Sequence, residues 1–328
     1  MTATGCSAAG GSTDGRHEAM TAERRQSTIL GIHSGALGDV VLFGQFLRAL
    51  RGRAGGPVQL VAGGDKARLL VGLGAADEAM DFDALPMAEV FSGAPPEDCL
   101  LPGRLGRCDL LVSCFAAGDA AAQKRLTALA SAGRSLFLPI RPPAGHPGHL
   151  LDLWGALAET GPVPPPGWLV PDRWRRRARL VLSEAGGDAD TPYLLIHPGS
   201  GSRTKCWPLE RFVEAAKRLS RAPVFVLGPT ELDWWGQQII ESLRKEFPTL
   251  LCPPLEVLAA LAAGARAYLG NDSGPTQLAA AVGTPTVALF GPTRPDQFAP
   301  RGRRAAVVAD SDMQRISVEA VTAAMENF

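Results

Sequence analysis

The sequence predicts an α/β protein made of two Rossmann-like parallel-sheet domains that face each other across a cleft. Three observations carry that expectation. Short apolar runs alternate with helix-period stretches almost throughout, the rhythm of parallel strands joined by crossing helices. The rhythm breaks at "GPVPPPGW" (161–168), where proline removes backbone donors and fixes φ, so the segment reads as a stiff linker. Beyond it the same rhythm resumes, and 328 residues are enough for two domains of ordinary size.

Residues 1–26 are rich in Gly, Ser, Thr and Ala and lack the apolar stretch of a signal peptide, so they read as a disordered leader. Residues 27–165 form the expected N-terminal domain. Its first strand is "STILGIH" (27–33), followed by a glycine-containing loop and the helix "DVVLFGQFLRAL" (39–50). Further strands are expected at 57–62, 78–82, 108–114 and 135–140, and "HLLDLWGALAET" (149–160) closes the domain as a helix. Residues 166–190 hold the rest of the linker and the basic helix "DRWRRRARLVLSEAG" (172–186).

The second domain is expected over 191–312, with strands at 193–197, 223–228, 267–270 and 285–290. Helices are expected at 208–220, 231–246, 255–263 and 275–282. In the first of these Pro208 occupies the first turn, and Leu209, Phe212, Val213, Ala216 and Leu219 share one face. Residues 313–328 carry a final helix, expected to pack back on the N-terminal domain.

Composition narrows the function. With 33 basic and 33 acidic side chains there is no net charge to favour wholesale nucleic-acid binding. The six cysteines form no CxxC pair and the five histidines no HExxH, so small buried thiols in a reducing compartment are expected, and no structural zinc. No stretch approaches the roughly 20 apolar residues of a membrane span. No GxGxxG follows the first strand, which counts against a dinucleotide dehydrogenase. Three D-x-D triplets (81–83, 188–190, 310–312) hint at a metal-dependent sugar transferase but sit at a strand end and in polar loops. The arginine run 173–179, with Trp168 and Trp174, reads first as a solvated helix face and second as a patch for anionic lipid heads or a phosphorylated acceptor.

Four strand-to-helix loops remain as carriers of chemistry, all at the sheet edge where α/β proteins bind ligands. In "HSGALGDVV" (33–41), Gly35 and Gly38 allow a tight turn and Asp39 opens the helix; taken alone, it reads as a cap. In "HPGSGSRTKCWP" (197–208), Ser200, Gly201 and Ser202 precede Lys205, which suits an anion cradle of amides plus a cation, although it is not a P-loop. In "LGPTELDWW" (227–235), Glu231 starts a helix, either as a cap or as a ribose contact. In "GNDSGPTQLAAAVGTPTVALFGPT" (270–293), the amides of Ser273 and Gly274 suit a diphosphate and Asp272 suits hydroxyl groups.

These loops, in this order, resemble those of glycosyltransferase family 9, the heptosyltransferases, over roughly residues 28–328. The motifs that carry the resemblance are "GALGDVV", "HPGSGSRTKCWP", "NDSGPTQLAAAVGTPTVALFGPTRP" and the helix "HPGHLLDLWGAL". The resemblance implies a GT-B fold and an inverting transfer of heptose from ADP-heptose to a lipopolysaccharide inner-core or related glycan acceptor. It implies no cofactor and no metal in the chemistry. The enzyme it implies is cytoplasmic, with peripheral contact at the inner face of the membrane. Asp39 is then the general base, and Ser200, Gly201 and Lys205 surround the donor phosphates. Glu231 faces the ribose, Asp272 the transferred sugar, and Ser273 and Gly274 the diphosphate. One position departs from many relatives, which carry His where this chain has Gln277; an amide can hydrogen-bond there but carries no charge. Two other readings stay open: a nucleotide-sugar epimerase of the same architecture, and a non-catalytic member that binds a nucleotide or glycan.

Overall fold

The structure, a computed structural model, describes residues 28–219 and 221–328. The leader expected at 1–26 lies outside the described residues. In the N-terminal lobe the strands are β1 (Ile29–His33), β2 (Val58–Ala62), β3 (Glu78–Asp81), β4 (Leu110–Ser113) and β5 (Arg134–Phe137). Its helices are α1 (Leu37–Ala54), α2 (Asp65–Gly72), α3 (Leu101–Leu105), α4 (Ala120–Leu129) and α5 (Leu150–Leu157). The linker leads into α6 (Asp172–Glu184).

The C-terminal lobe runs β6 (Tyr193–His197), α7 (Leu209–Arg218), β7 (Ala222–Leu227), α8 (Pro229–Trp234), α9 (Gln237–Glu246), β8 (Thr249–Leu251) and α10 (Leu255–Gly264). It continues with β9 (Ala267–Asn271), α11 (Gly274–Ala281), β10 (Thr286–Phe290), α12 (Pro295–Phe298), β11 (Ala305–Ala309) and α13 (Val318–Glu326).

Every strand pair is parallel. The N-terminal order is β3-β2-β1-β4-β5 and the C-terminal order β11-β10-β9-β6-β7-β8. Both are doubly wound, and the direction in which successive strands are added reverses between β1 and β4 in one sheet and between β6 and β9 in the other. The crevice at the carboxyl ends of strands flanking such a reversal is where this architecture binds ligands. The central strands β1, β6, β9 and β10 are buried along their whole length, as parallel strands covered on both faces must be.

The lobes meet through helices. One continuous apolar cluster joins α1 and α2 of the first lobe to α10 and α11 of the second, including Leu42, Phe46, Leu70, Leu258, Leu278 and Ala279. Alanines along α11 leave room for α1 to lie close against it. A second seam joins the start of α5 to the segment around α12. There the carboxylate of Asp152 pairs with Arg301, with Nη1 to Oδ1 at 3.0 Å, and Gln297 Nε2 donates to the His146 carbonyl at 3.0 Å.

Three expectations need correction. The final helix packs on the C-terminal lobe rather than back on the first: Val318, Val321 and Met325 share a core with Trp207 and Phe212. Trp207 Nε1 and the Arg211 guanidinium both donate to the Ile316 carbonyl, fixing the approach to α13. The helix expected over 231–246 is two helices, because Trp235 is extended and Gly236 opens the second. Trp168 and Trp174 are buried, 2 % and 9 % exposed, so the arginine run has no aromatic companions at its surface. Between β3 and β4 the chain makes short 3₁₀ turns over Phe82–Asp98 before α3, with Pro86, Pro95 and Pro96 keeping each turn short. Glu89 organises that segment by accepting the amides of Leu100 and Leu101, which hold its carboxyl below the usual range.

Candidate active site

The loop after β1 and the loops after β6 and β9 face one another across the cleft. They meet where Gly274 faces Leu37 and Gly38. A Cβ on Gly274 would lie 2.8 Å from Leu37 Cβ and 3.0 Å from the Gly38 nitrogen, so glycine is required there for the lobes to touch as they do. The N-terminal ends of α1 and α11 thus converge on one point, and both bring the positive end of a helix dipole.

Around that contact lie two adjoining cavities. One, of about 480 Å³, is lined by Asp39 and Arg141 from the first lobe and by Lys205, Asp272, Gln277 and Thr293 from the second. The other, of about 410 Å³, lies between His197, the loop bearing Glu231, and the segment Cys252–Leu255. Ser200, Gly201, Ser273 and Gly274 line both, so these four residues form the sill between a polar chamber and a partly apolar one.

Asp39 is the third residue of α1, not its cap; Ala36 occupies the N-cap position and makes no side-chain bond. The Asp39 carboxylate, 18 % exposed, instead meets Arg141 Nη1 at 3.4 Å. The Arg141 guanidinium in turn lies 5.1 Å from the centre of the Phe298 ring, a cation–π contact between lobes. Beneath the loop, His33 accepts the Gly35 amide at Nδ1 (2.9 Å), while Lys66 Nζ donates to the Gly35 carbonyl (2.9 Å). Burial pushes the His33 imidazole down to about 4, so it serves as a neutral prop that shapes the turn ahead of Asp39.

On the other lobe the residues are interlocked. Lys205 Nζ lies 3.0 Å from Asp272 Oδ2, and Thr293 Oγ1 donates to the same oxygen at 2.9 Å. Ser200 Oγ donates to the Asp272 carbonyl at 2.6 Å, tying the β6 and β9 loops together. Asn271, fully buried, accepts the Trp207 amide and donates to the Pro198 carbonyl at 2.8 Å. Thr276 Oγ1 donates to the Asn271 carbonyl at 2.5 Å, and Ser273 Oγ lies 3.0 Å from that hydroxyl. Ser273 makes no side-chain cap bond to α11, which leaves first-turn amides of that helix facing the sill. Beside Lys205, burial pushes the Cys206 thiol up to about 11, which favours its protonated form.

Glu231 is 2 % exposed and its Oε2 accepts the Gly228 amide at 2.6 Å, so it caps α8 in this state while bordering the second cavity. Its carboxyl folds over Gly199, where a Cβ would fall 1.6 Å from Oε1; no other residue leaves that space. His197 Nε2 stands 3.6 Å away. Burial drives both toward their neutral forms, Glu231 upward and His197 down to about 4. Gln277 Nε2 donates to the Phe298 carbonyl at 2.7 Å, and its buried Oε1 finds no partner among the described residues.

The structure therefore brings Asp39, Ser200, Gly201, Lys205, Asp272, Ser273, Gly274 and Gln277 around one cavity, with Glu231 at its neighbour. Sequence reasoning passed over Arg141, Lys66 and His33. Thr293 was in plain view in the second Gly-Pro-Thr turn, yet only the fold shows that it holds Asp272. The D-x-D triplets are local devices: Asp81, Asp188 and Asp310 each accept the amide two residues on.

The family model "Glycosyltransferase family 9 (heptosyltransferase)" matches residues 162–325, half of the chain. Lipopolysaccharide heptosyltransferase 2 of Salmonella typhimurium is 30% identical over 138 residues, 39% of this chain and 39% of that one. Lipopolysaccharide heptosyltransferase 1 of Pseudomonas aeruginosa is 34% identical over 130 residues, 36% and 34% of the two chains. The matched stretch thus spans less than two fifths of either relative's length. Solved structures extend the likeness to the whole fold. A family 9 glycosyl transferase from Veillonella parvula superposes with a TM-score of 0.71 at 21% identity, over 92% of this chain and 96% of that one. The ADP-heptose lipopolysaccharide heptosyltransferase II of E. coli gives 0.71 at 19% identity, over 92% and 98%. The two-lobed architecture is the GT-B fold of those structures. Among the described residues no helix is long and apolar enough to cross a membrane.

Proposed function

The chain belongs to glycosyltransferase family 9, and from that premise we propose that it is an inverting, metal-independent glycosyltransferase that moves heptose from ADP-heptose to a lipopolysaccharide inner-core or related glycan acceptor. The single observation that carries the reading is the placement of Asp39 across one cavity from Lys205, Asp272 and the Ser273–Gly274 sill. A base on one lobe and an anion cradle on the other suit a displacement in which acceptor and leaving group lie on opposite sides of one carbon.

In this reading the nucleoside lies in the cavity beside Glu231 and the diphosphate crosses the sill. The sugar enters the polar chamber. An acceptor hydroxyl attacks the anomeric carbon as the bond from that carbon to the diphosphate oxygen breaks. Asp39 takes the hydroxyl proton, and the departing ADP keeps the electron pair. Attack from the face opposite the leaving group inverts the anomeric centre. Lys205 shifts its charge from Asp272 toward the diphosphate, which frees Asp272 to accept from sugar hydroxyls. Gln277, held by the Phe298 carbonyl, offers an acceptor rather than a cation and so serves a hydroxyl, leaving the phosphate charge to Lys205 and the amides. The D-x-D carboxylates are engaged in their own turns, which supports a chemistry without a D-x-D-held metal. The acceptor is a glycolipid met at the inner face of the cytoplasmic membrane.

A binding screen of ADP-, UDP-, GDP- and CMP-sugars followed by transfer assays tests the proposal. The expected result is a preference for ADP, transfer only with acceptor present, and loss of transfer in Asp39→Ala. Conversion of donor without acceptor would instead identify an epimerase. Tight nucleotide binding with no turnover on any acceptor would identify a non-catalytic member.

A further inference from the structure

Away from the cleft, α1 runs against the proline linker, and a groove of about 510 Å³ opens between them. Arg48 and Arg53 of α1 line it on one side, and Arg303, just before β11, lines it from the other lobe. All three arginines are exposed, and among the described residues no aspartate or glutamate borders the groove. Arg48 lies nine positions beyond Asp39, about 14 Å further along the helix axis, so the groove is distinct from the cleft.

Gln45 makes this more than a basic surface. Its side chain lines the groove yet is 2 % exposed, and neither Nε2 nor Oε1 has a partner among the described residues. A buried amide unmatched at both ends destabilises a fold, and an apolar side chain of that length would fit a helix interior without the penalty. Trp168 Nε1, one residue past the groove wall at Gly167, is also buried and unpartnered. Orphaned polar groups beneath three guanidiniums are the pattern expected where a ligand supplies the missing partners.

We propose that this groove binds a phosphorylated small molecule bearing at least two negative charges. Guanidinium forks match phosphate oxygens two at a time, and the Gln45 amide supplies both a donor and an acceptor for an ester oxygen and a hydroxyl. The rigid prolines 164–166 give the apolar part of such a molecule a flat wall. Because Arg303 comes from one lobe and Arg48 from the other, an occupied groove ties the lobes together at the linker.

Calorimetric titration with inorganic pyrophosphate tests this, independently of the assignment of the cleft. Wild type, Lys205→Ala, the double variant Arg48→Gln/Arg303→Gln and Gln45→Met are compared, each with and without saturating ADP. Pyrophosphate is expected to bind the wild type with ADP present and to bind Lys205→Ala equally well. The double variant, changed only at exposed positions, is expected to lose at least about tenfold in affinity. Gln45→Met is expected to weaken binding while its ligand-free Tm stays level or rises. The proposal is overturned if no pyrophosphate binds when ADP is present, if Lys205→Ala removes the binding, or if the double variant binds as the wild type does.

Discussion

In the C-terminal lobe each site loop is tied to its neighbour: Ser200 to the Asp272 backbone, Asn271 to the β6 loop, Thr293 and Lys205 to the Asp272 carboxylate. In the N-terminal lobe Asp39 has one ion pair, at 3.4 Å, with an arginine whose side chain is 63 % exposed. The two sheets share a winding pattern, so the contrast comes from the loops alone. One lobe presents a cradle that is already assembled, the other a carboxylate with room to adjust. The family model matches the linker and the lobe that carries the assembled cradle.

The largest expected effect separates the lobes by task. If Asp39 is the base of the proposed transfer, Asp39→Ala should lower the transfer rate by about 10²–10⁴ while leaving ADP affinity unchanged. A matching loss of ADP affinity would break the division of labour. Next, Gly274→Ala places a methyl group 2.8 Å from Leu37 Cβ, so the lobes must part. Misplacement on that scale should cost roughly 10² in kcat/KM, with folding intact by circular dichroism. Lys205→Ala should weaken ADP binding by about 10- to 100-fold, the range for losing a charge-assisted contact. An unchanged Kd would mean that the cradle works through amides alone.

The smallest expected effect is on stability against pH. His33 and His149, both in the N-terminal lobe, are pushed by burial from 6.5 to about 4, and His149 also faces Arg301. His149 caps α5 and its Nε2 meets the Ala299 carbonyl at 2.9 Å, so it bridges the lobes as a neutral ring. The unfolded chain therefore takes up protons first as pH falls. Their contribution is whole above pH 6.5 and is lost between 6.5 and about 4, at up to about 1.4 kcal/mol per pH unit for each histidine. In the C-terminal lobe His197 acts in the same direction, but the raised Glu231 opposes it, because the folded state keeps a proton that the unfolded chain has released. Urea midpoints measured from pH 7 to 4 should show the slope reduced in His149→Gln, and an equal reduction in Glu231→Gln would erase the asymmetry.

Much of this was legible in the sequence because parallel strands are buried on both faces and leave continuous apolar runs such as "YLLIH" and "PTVALF". The strands it missed are the short β8 and the edge strand β11, whose alternate residues are exposed and whose alanines carry little strand signal. The glycine-rich loops pointed to the cleft because few other residues permit such turns. Arg141, Lys66 and Thr293 were harder: each lies far in sequence from the group it meets, and nothing local marks the meeting. Asp39 shows the limit from the other side, since its position suggested a cap and only the fold reveals that Ala36 takes that place.

The contact between Gly38 and Gly274 also has a mechanical meaning. It is a pinch point between the lobes, where the first turns of α1 and α11 meet beside the two cavities. The spacing of the lobes there follows from the missing side chain at Gly274, which faces Leu37 and Gly38. In the proposed reaction, that spacing keeps the Asp39 side of the cavity close to the sill.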